Sequence, residues 1–200
     1  MKSFKLLSLL FVLASTGCSA CTSQLESDSS DSSDVVTEPY PWATWEECSQ
    51  KIDDHPCNFS LQDQNGEEVS LYDYYGGPII LDFSVMWCGP CQRAAAEVQQ
   101  VQDSHASDGL TYIPVLIETA EGVAPTTEDC KNCANDFGIT NVPVLAGSRD
   151  MIDYSAIHGW NIEGWPTFYF ITEDMKIHTS LRGYSASYIE QLLNDTMNSD

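Results

Sequence analysis

Two of the eight cysteines in this 200-residue chain, Cys88 and Cys91, carry most of its chemistry. The run Trp87-Cys88-Gly89-Pro90-Cys91 sets two thiols at Cys-x-x-Cys spacing. Such a pair can close a small ring, so that one sulfur attacks a disulfide and the other then releases the mixed disulfide. Cys88 is the expected exposed nucleophile, and Cys91, one turn deeper, the resolving thiol. Asp82 stands between Leu81 and Phe83 on the apolar stretch that leads into this turn. Burial without a cationic partner raises a carboxyl pKa, which makes the group a usable proton acceptor near neutral pH. A second Cys-x-x-Cys, Cys130 and Cys133, raises the idea of a four-cysteine zinc site. However, 38 residues separate the two pairs, whereas zinc ribbons separate theirs by about 15–20. A local structural disulfide, Cys130–Cys133, is the expectation, with a second redox pair relaying electrons to Cys88 and Cys91 as the alternative. Cys48 and Cys57, on either side of His55-Pro56, suit a structural disulfide that staples the N-terminal segment. If Cys88 pairs with Cys91, the other four cysteines of the folded domain still allow three pairings. No metal or cofactor is expected; His55, His105, His158 and His178 are scattered without ligand spacing.

The elements that must position these groups can be read from pattern. Ile79 to Val85 is a short, apolar, β-branched strand bounded by Gly76, Gly77 and Pro78. Ala94, Ala95, Val98 and Val101 fall at helical spacing behind Cys91, so a helix should run from the cysteines to about Asp108-Gly109. Cys88 then sits where unpaired N–H groups and the positive end of the helix dipole favour a thiolate. Asp63-Gln64-Asn65-Gly66 predicts a hairpin between Phe59–Gln62 and Glu67–Leu71. Leu110 to Ile117 is a second buried strand, although Pro114 would demote it to an edge or a bulge. Thr126 or Thr127 caps a helix that ends at Phe137 before Gly138. Val142 to Leu145 is extended, Thr167–Ile171 and Lys176–Leu181 form a closing hairpin, and Tyr188, Ile189, Leu192 and Leu193 mark a terminal amphipathic helix. Trp42 and Trp45 pack on the domain as plain core.

Leu81-Asp82-Phe83 followed by Trp87-Cys88-Gly89-Pro90-Cys91 resembles the active-site strand and turn of thioredoxin. Gly164-Trp165-Pro166-Thr167 resembles the cis-proline loop of that family, with Trp165 a departure from ordinary thioredoxins. The 78 residues from Cys88 to Pro166 and the N-terminal hairpin are more like the TlpA and ResA branch of periplasmic thioredoxin-like proteins. The resemblance implies an α/β thioredoxin-like fold, a central mixed sheet flanked by helices, with an N-terminal β-hairpin and an insertion between the active-site helix and the cis-proline strand. It implies a redox-active Cys88–Cys91 disulfide, with Asp82 taking the proton of Cys91. It also implies a substrate site made by Trp87, Gly89, Pro90, Trp165 and Pro166. The activity implied is thiol-disulfide exchange in the direction of reducing protein disulfides, as in cytochrome c maturation, with electrons from a membrane donor protein. The partners are thus a disulfide-containing protein substrate and that donor, and the protein is expected to be a monomer.

Met1 to Gly17 reads as a secretion signal, with Lys2 and Lys5 before the apolar stretch Leu6 to Ala14. Leu13-Ala14-Ser15-Thr16-Gly17-Cys18 resembles a bacterial lipobox that would make Cys18 a lipid-bearing first residue; plain cleavage near Ala20 is the alternative. Residues 18–39, rich in Ser and Asp, read as a disordered acidic tether with a reach of roughly 25 Å, followed by the thioredoxin-like domain over 40–200. The protein is therefore expected in the cell envelope, on the periplasmic side, held to a membrane by a lipid at Cys18. Thirty acidic residues against eight basic ones give a net charge of −22, and so negative a field excludes a nucleic-acid role. Two rival functions remain: a thiol peroxidase of related fold, for which no Thr-x-x-Cys nucleophile is found, and a non-catalytic metal-carrying or redox-gated binding module.

Overall fold

The computed structural model describes residues 40–199, and the expected signal peptide, Cys18, Cys21 and the tether lie outside them. The hairpin forms from β1 (Ser60–Gln62), which starts one residue later than the pattern predicts and ends where predicted, and β2 (Glu68–Ser70), one residue shorter at each end. Its turn is held by Asp63, whose Oδ1 accepts from the N–H groups of Asn65 at 2.8 Å and Glu67 at 2.9 Å, and Gly66 takes a φ of 79°. That left-handed angle is the reason for glycine there.

A five-stranded sheet follows, in the order β5-β4-β3-β6-β7. Its centre is β3 (Ile79–Val85), parallel to β4 (Thr111–Glu118) and antiparallel to β6 (Thr167–Ile171); β5 (Leu145–Ala146) and β7 (Ile177–Arg182) form the edges. Gly77 brings β3 into place. A Cβ there would stand 2.4 Å from the carbonyl oxygen of Gly109, the residue that ends the crossover before β4.

Because side chains alternate along a strand, β3 divides its residues between two layers. Leu81, Phe83 and Val85 join Ile113, Val115, Trp160 and Tyr169 on one face, which the hairpin, the aromatic N-terminal segment and the 149–162 loop cover. Ile80 joins Tyr112, Leu116, Phe168 and Phe170 on the other, with buried residues of the α-helices against them. These helices are α1 (Gly89–Ala95), α2 (Val98–Ser104), α3 (Thr127–Phe137) and α4 (Ala186–Met197). Asp82 and Ser84, in phase with Ile80, share the helical face.

Trp42 and Trp45 pack against the first layer: Trp42 stacks on Tyr75 at 4.0 Å between ring centroids, and Trp45 on His55 at 3.9 Å. His55 is half-buried and its Nδ1 lies 2.7 Å from the carbonyl of Met175.

Three expectations need correction. The helix behind Cys91 is broken, because the N–H of Glu97 turns to the carbonyl of Ala94 at 2.9 Å, an i−3 bond that interrupts the i−4 ladder. Pro114 lies in a strand that is interior to the sheet. Its short neighbour β5 pairs only with Val115 and Leu116, so the missing N–H leaves no partner unpaired on that side. Cys130 and Cys133 remain thiols, both buried. Both lie within α3, where residues three apart hold their Cβ atoms about 5–6 Å apart, wider than the roughly 3.5–4.5 Å a disulfide spans. The helix itself begins and ends as its sequence predicts, with Thr126 and Asp129 closing a capping box and Gly138 turning left-handed at a φ of 67°.

Candidate active site

The site lies at the C-terminal end of β3. Cys88 is the N-cap of α1, with extended backbone at φ −92° and ψ 115°, and Pro90 fits the first helical turn, where no intrahelical N–H is required. Cys88 and Cys91 are joined by a disulfide with their Cα atoms 5.2 Å apart, and the Cys91 N–H donates to Cys88 Sγ at 3.2 Å. The same amide can stabilise a thiolate on Cys88 once the bond opens. Cys88 is only 7% exposed and Cys91 3%, so the nucleophile expected to be exposed is buried in the disulfide form.

The sheet brings the second motif beside the first. Phe83 pairs with Thr167, so the residues just before β6 lie alongside the strand end that leads to Cys88. There the Trp165–Pro166 bond is cis, and Trp165 packs against the layer that includes both cysteines. The loop is pinned by three contacts. Thr167 Oγ1 donates to the Gly164 carbonyl at 2.8 Å, the Gly183 N–H donates to the Pro166 carbonyl at 2.8 Å, and Arg182 pairs with Glu163 at 3.1 Å.

Asp82 is 2% exposed. Burial pushes its carboxyl up to about 7, against the pull of two hydroxyls: Ser84 Oγ donates at 2.6 Å and Tyr112 Oη at 3.2 Å. Ser84 was legible as its same-face strand neighbour two residues on; Tyr112 was not, since it comes from β4. Burial and the adjacent Asp82 hold the Tyr112 hydroxyl far above its ordinary value, so it stays a donor.

Trp87 is half exposed at 51%, yet fixed, because its indole Nε1 donates to Glu118 Oε2 at 2.9 Å. Glu118 in turn pairs with Arg149, and these contacts lower its carboxyl below the ordinary value. Neither Glu118 nor Arg149 was singled out from the sequence. The available signal was a carboxylate closing an apolar strand in a chain with few cations. Gly89 is exposed and Pro90 half-buried at the turn. Away from this cluster, Cys48 and Cys57 are bonded at 2.05 Å. Among the described residues no group of three or more His, Cys, Asp or Glu side chains is placed to hold a metal ion.

Known proteins resemble this chain in both sequence and shape. The thioredoxin-like protein YneN of Bacillus subtilis is 29% identical over 117 residues, 58% of this chain and 62% of that one. The thiol-disulfide oxidoreductase ResA of the same organism is 24% identical over 141 residues, 70% of this chain and 71% of that one. The chain thus spans about six tenths of YneN's length. Among solved structures, a putative thiol:disulfide interchange protein DsbE from Chlorobium tepidum superposes with a TM-score of 0.60 at 22% identity, covering 75% of this chain and all of that one. The exposed lipoprotein thioredoxin Etrx1 of Streptococcus pneumoniae gives 0.54 at 22% identity, covering 70% and 99%. These likenesses establish the thioredoxin-like fold. Residues 52–180 match the AhpC/TSA family, and the chain belongs to that family.

Proposed function

We propose that the protein is an exported thiol-disulfide oxidoreductase that reduces protein disulfides in the cell envelope through Cys88 and Cys91. One arrangement carries this reading: the Cys88–Cys91 disulfide caps a helix beside the cis Trp165–Pro166 bond, with the buried carboxyl of Asp82 on the strand that leads to it. In the reduced enzyme the Cys88 thiolate attacks a substrate disulfide and one substrate sulfur leaves with its electron pair. Asp82, displaced to about 7, takes the proton of Cys91 through a water. Cys91 then attacks Cys88 Sγ, the mixed disulfide breaks, and the second substrate sulfur leaves as a thiolate. Substrate chain lies along the backbone at Trp165 as an added strand, with the exposed ring of Trp87 and the Gly89-Pro90 turn on its other side. A membrane electron-donor protein returns Cys88–Cys91 to the dithiol.

Export rests on Met1–Gly17, and anchoring on a lipid at Cys18. The Cys48–Cys57 bond suits an oxidising compartment. The name of the ResA relative supports the reaction class. A thiol peroxidase of Thr-x-x-Cys type is less well supported, because Val85 holds the position three residues before Cys88.

The test is a trap. Reduced Cys91→Ser protein mixed with a disulfide-bonded protein such as insulin should accumulate a mixed disulfide at Cys88. Absence of any adduct at Cys88, or consumption of hydrogen peroxide by wild type in preference to protein disulfides, overturns the reading.

A further inference from the structure

Cys133 lies behind the active-site turn. It is 6% exposed and lines a cavity of about 150 Å³ together with Cys91, Ser84, Met86, Leu116 and Phe137. Cys130, one helical turn away, is fully buried and is not part of that lining. The two thiols of α3 are too widely held to bond to each other without unwinding the helix, so the sulfur that Cys133 shares a space with is Cys91. Asp82 and Ser84 project onto the same face of β3 as α3, and the Asp82 charge reaches Cys133.

We propose that Cys133 is a third thiol of the redox centre, which takes over Cys91 from Cys88 by forming a Cys91–Cys133 disulfide across this cavity. The inference rests on the reading of Cys88 and Cys91 as the exchange pair. In the step, the Cys133 thiol gives its proton to the Asp82 carboxylate and its sulfur attacks Cys91 Sγ. The Cys91–Cys133 bond forms, the Cys88–Cys91 bond breaks, and Cys88 leaves with the electron pair as a thiolate. One thiol is oxidised and one regenerated, so no outside oxidant or reductant is required. Burial first, then Asp82 and Asp136, pushes the Cys133 thiol up to about 12, which makes the exchange slow and faster as pH rises. The leaving sulfur favours the forward direction, since the Cys91 amide stays beside it. The product is an enzyme at the oxidation level of the disulfide form that nevertheless carries a free nucleophile at Cys88. Such a species attacks substrate disulfides without supplying net electrons, the chemistry of disulfide isomerisation.

Alkylation can trap this species. The oxidised full-length protein, free of reductant, is incubated with iodoacetamide at pH 7 and pH 9, then digested with trypsin without reduction. Cleavage at Arg93, Lys131 and Arg149 puts Cys91, Cys130 and Cys133 on three different peptides. The expected product carries an alkylated Cys88 and a link from Cys133 in peptide 132–149 to Cys91 in peptide 52–93, which the Cys48–Cys57 bond still joins to the peptide ending at Lys51; it accumulates faster at pH 9 and is absent from Cys133→Ala. Cys88→Ser protein treated with diamide should form the same link, a check that does not depend on Cys133→Ala folding. Oxidised protein that keeps Cys88–Cys91 intact and unalkylated overturns the inference, as does a Cys130–Cys133 link in its place. Fast alkylation of Cys88 in the reduced protein, measured alongside, keeps failure of this inference distinct from failure of the exchange reading.

Discussion

Replacing Asp82 by asparagine keeps the size and much of the hydrogen bonding of the side chain and removes only its ability to ionise. The carboxyl is 2% exposed, and burial moves it from 3.8 to about 7. A group that binds its proton more tightly in the folded chain contributes stability that is complete below about pH 4 and lost as pH rises through 7. At about 1.4 kcal/mol for each tenfold change in the ionisation equilibrium, the folded protein carries a penalty of about 4 kcal/mol above pH 7. Asp82→Asn should therefore be more stable than wild type at pH 8.5, by up to that amount, and nearly equal to it at pH 4. Urea unfolding at a series of pH values measures the difference. The same substitution should slow insulin reduction by roughly 10²-fold, near the lower end of general-base contributions, because thiol exchange also proceeds without a base. It should also remove the inflection near pH 7 from the rate profile. A stability gap that does not change with pH, together with kinetics unchanged from pH 6 to 9, would refute the claim that a buried, proton-accepting carboxyl sits behind Cys91.

The surroundings of the site yield further expectations. Glu118→Ala removes the acceptor of the Trp87 indole N–H and leaves Arg149 without its charge partner, so KM for a protein substrate should rise by roughly two- to tenfold, the range that one net hydrogen bond sets, with kcat little changed. Removing the Cys48–Cys57 bond by Cys48→Ala with Cys57→Ala should lower unfolding free energy by about 2–3 kcal/mol, the loop-closure term for so short a ring, as read by denaturant midpoints. Gly77→Ala drives a methyl group into the Gly109 carbonyl and should destabilise the domain by about 1–3 kcal/mol, while a Gly66→Ala control meets no atom and tests only the left-handed turn.

Local signals carried much of the fold. Asn65-Gly66, the Thr126 cap with Gly138, and the alternation around Glu173-Asp174 each specify a conformation within a few residues, and each element forms close to its predicted place. The strand-to-cysteine junction was equally legible, because an apolar β-branched run followed by Gly-Pro leaves few alternatives. What was hidden depends on partners distant in sequence. Pro114 is harmless in an interior strand only because β5 is two residues long. Tyr112, Glu118 and Arg149 become site residues only when β4 and the loop after β5 come alongside β3. Whether Cys130 and Cys133 bond turns on the rigidity of a helix interior, which Cys-x-x-Cys spacing alone does not express. The break at Glu97 has no glycine or proline to announce it.

The most direct test of the account is the rate at which Cys88 is alkylated in the reduced protein as pH is varied. A thiol at a helix N-cap, with the Cys91 amide beside its sulfur, should titrate well below the ordinary value of about 8.5 and react at neutral pH far faster than Cys91 or free cysteine. If Cys88 instead titrates near 8.5 and reacts no faster than free cysteine, the proposal that this turn is the seat of disulfide exchange is contradicted.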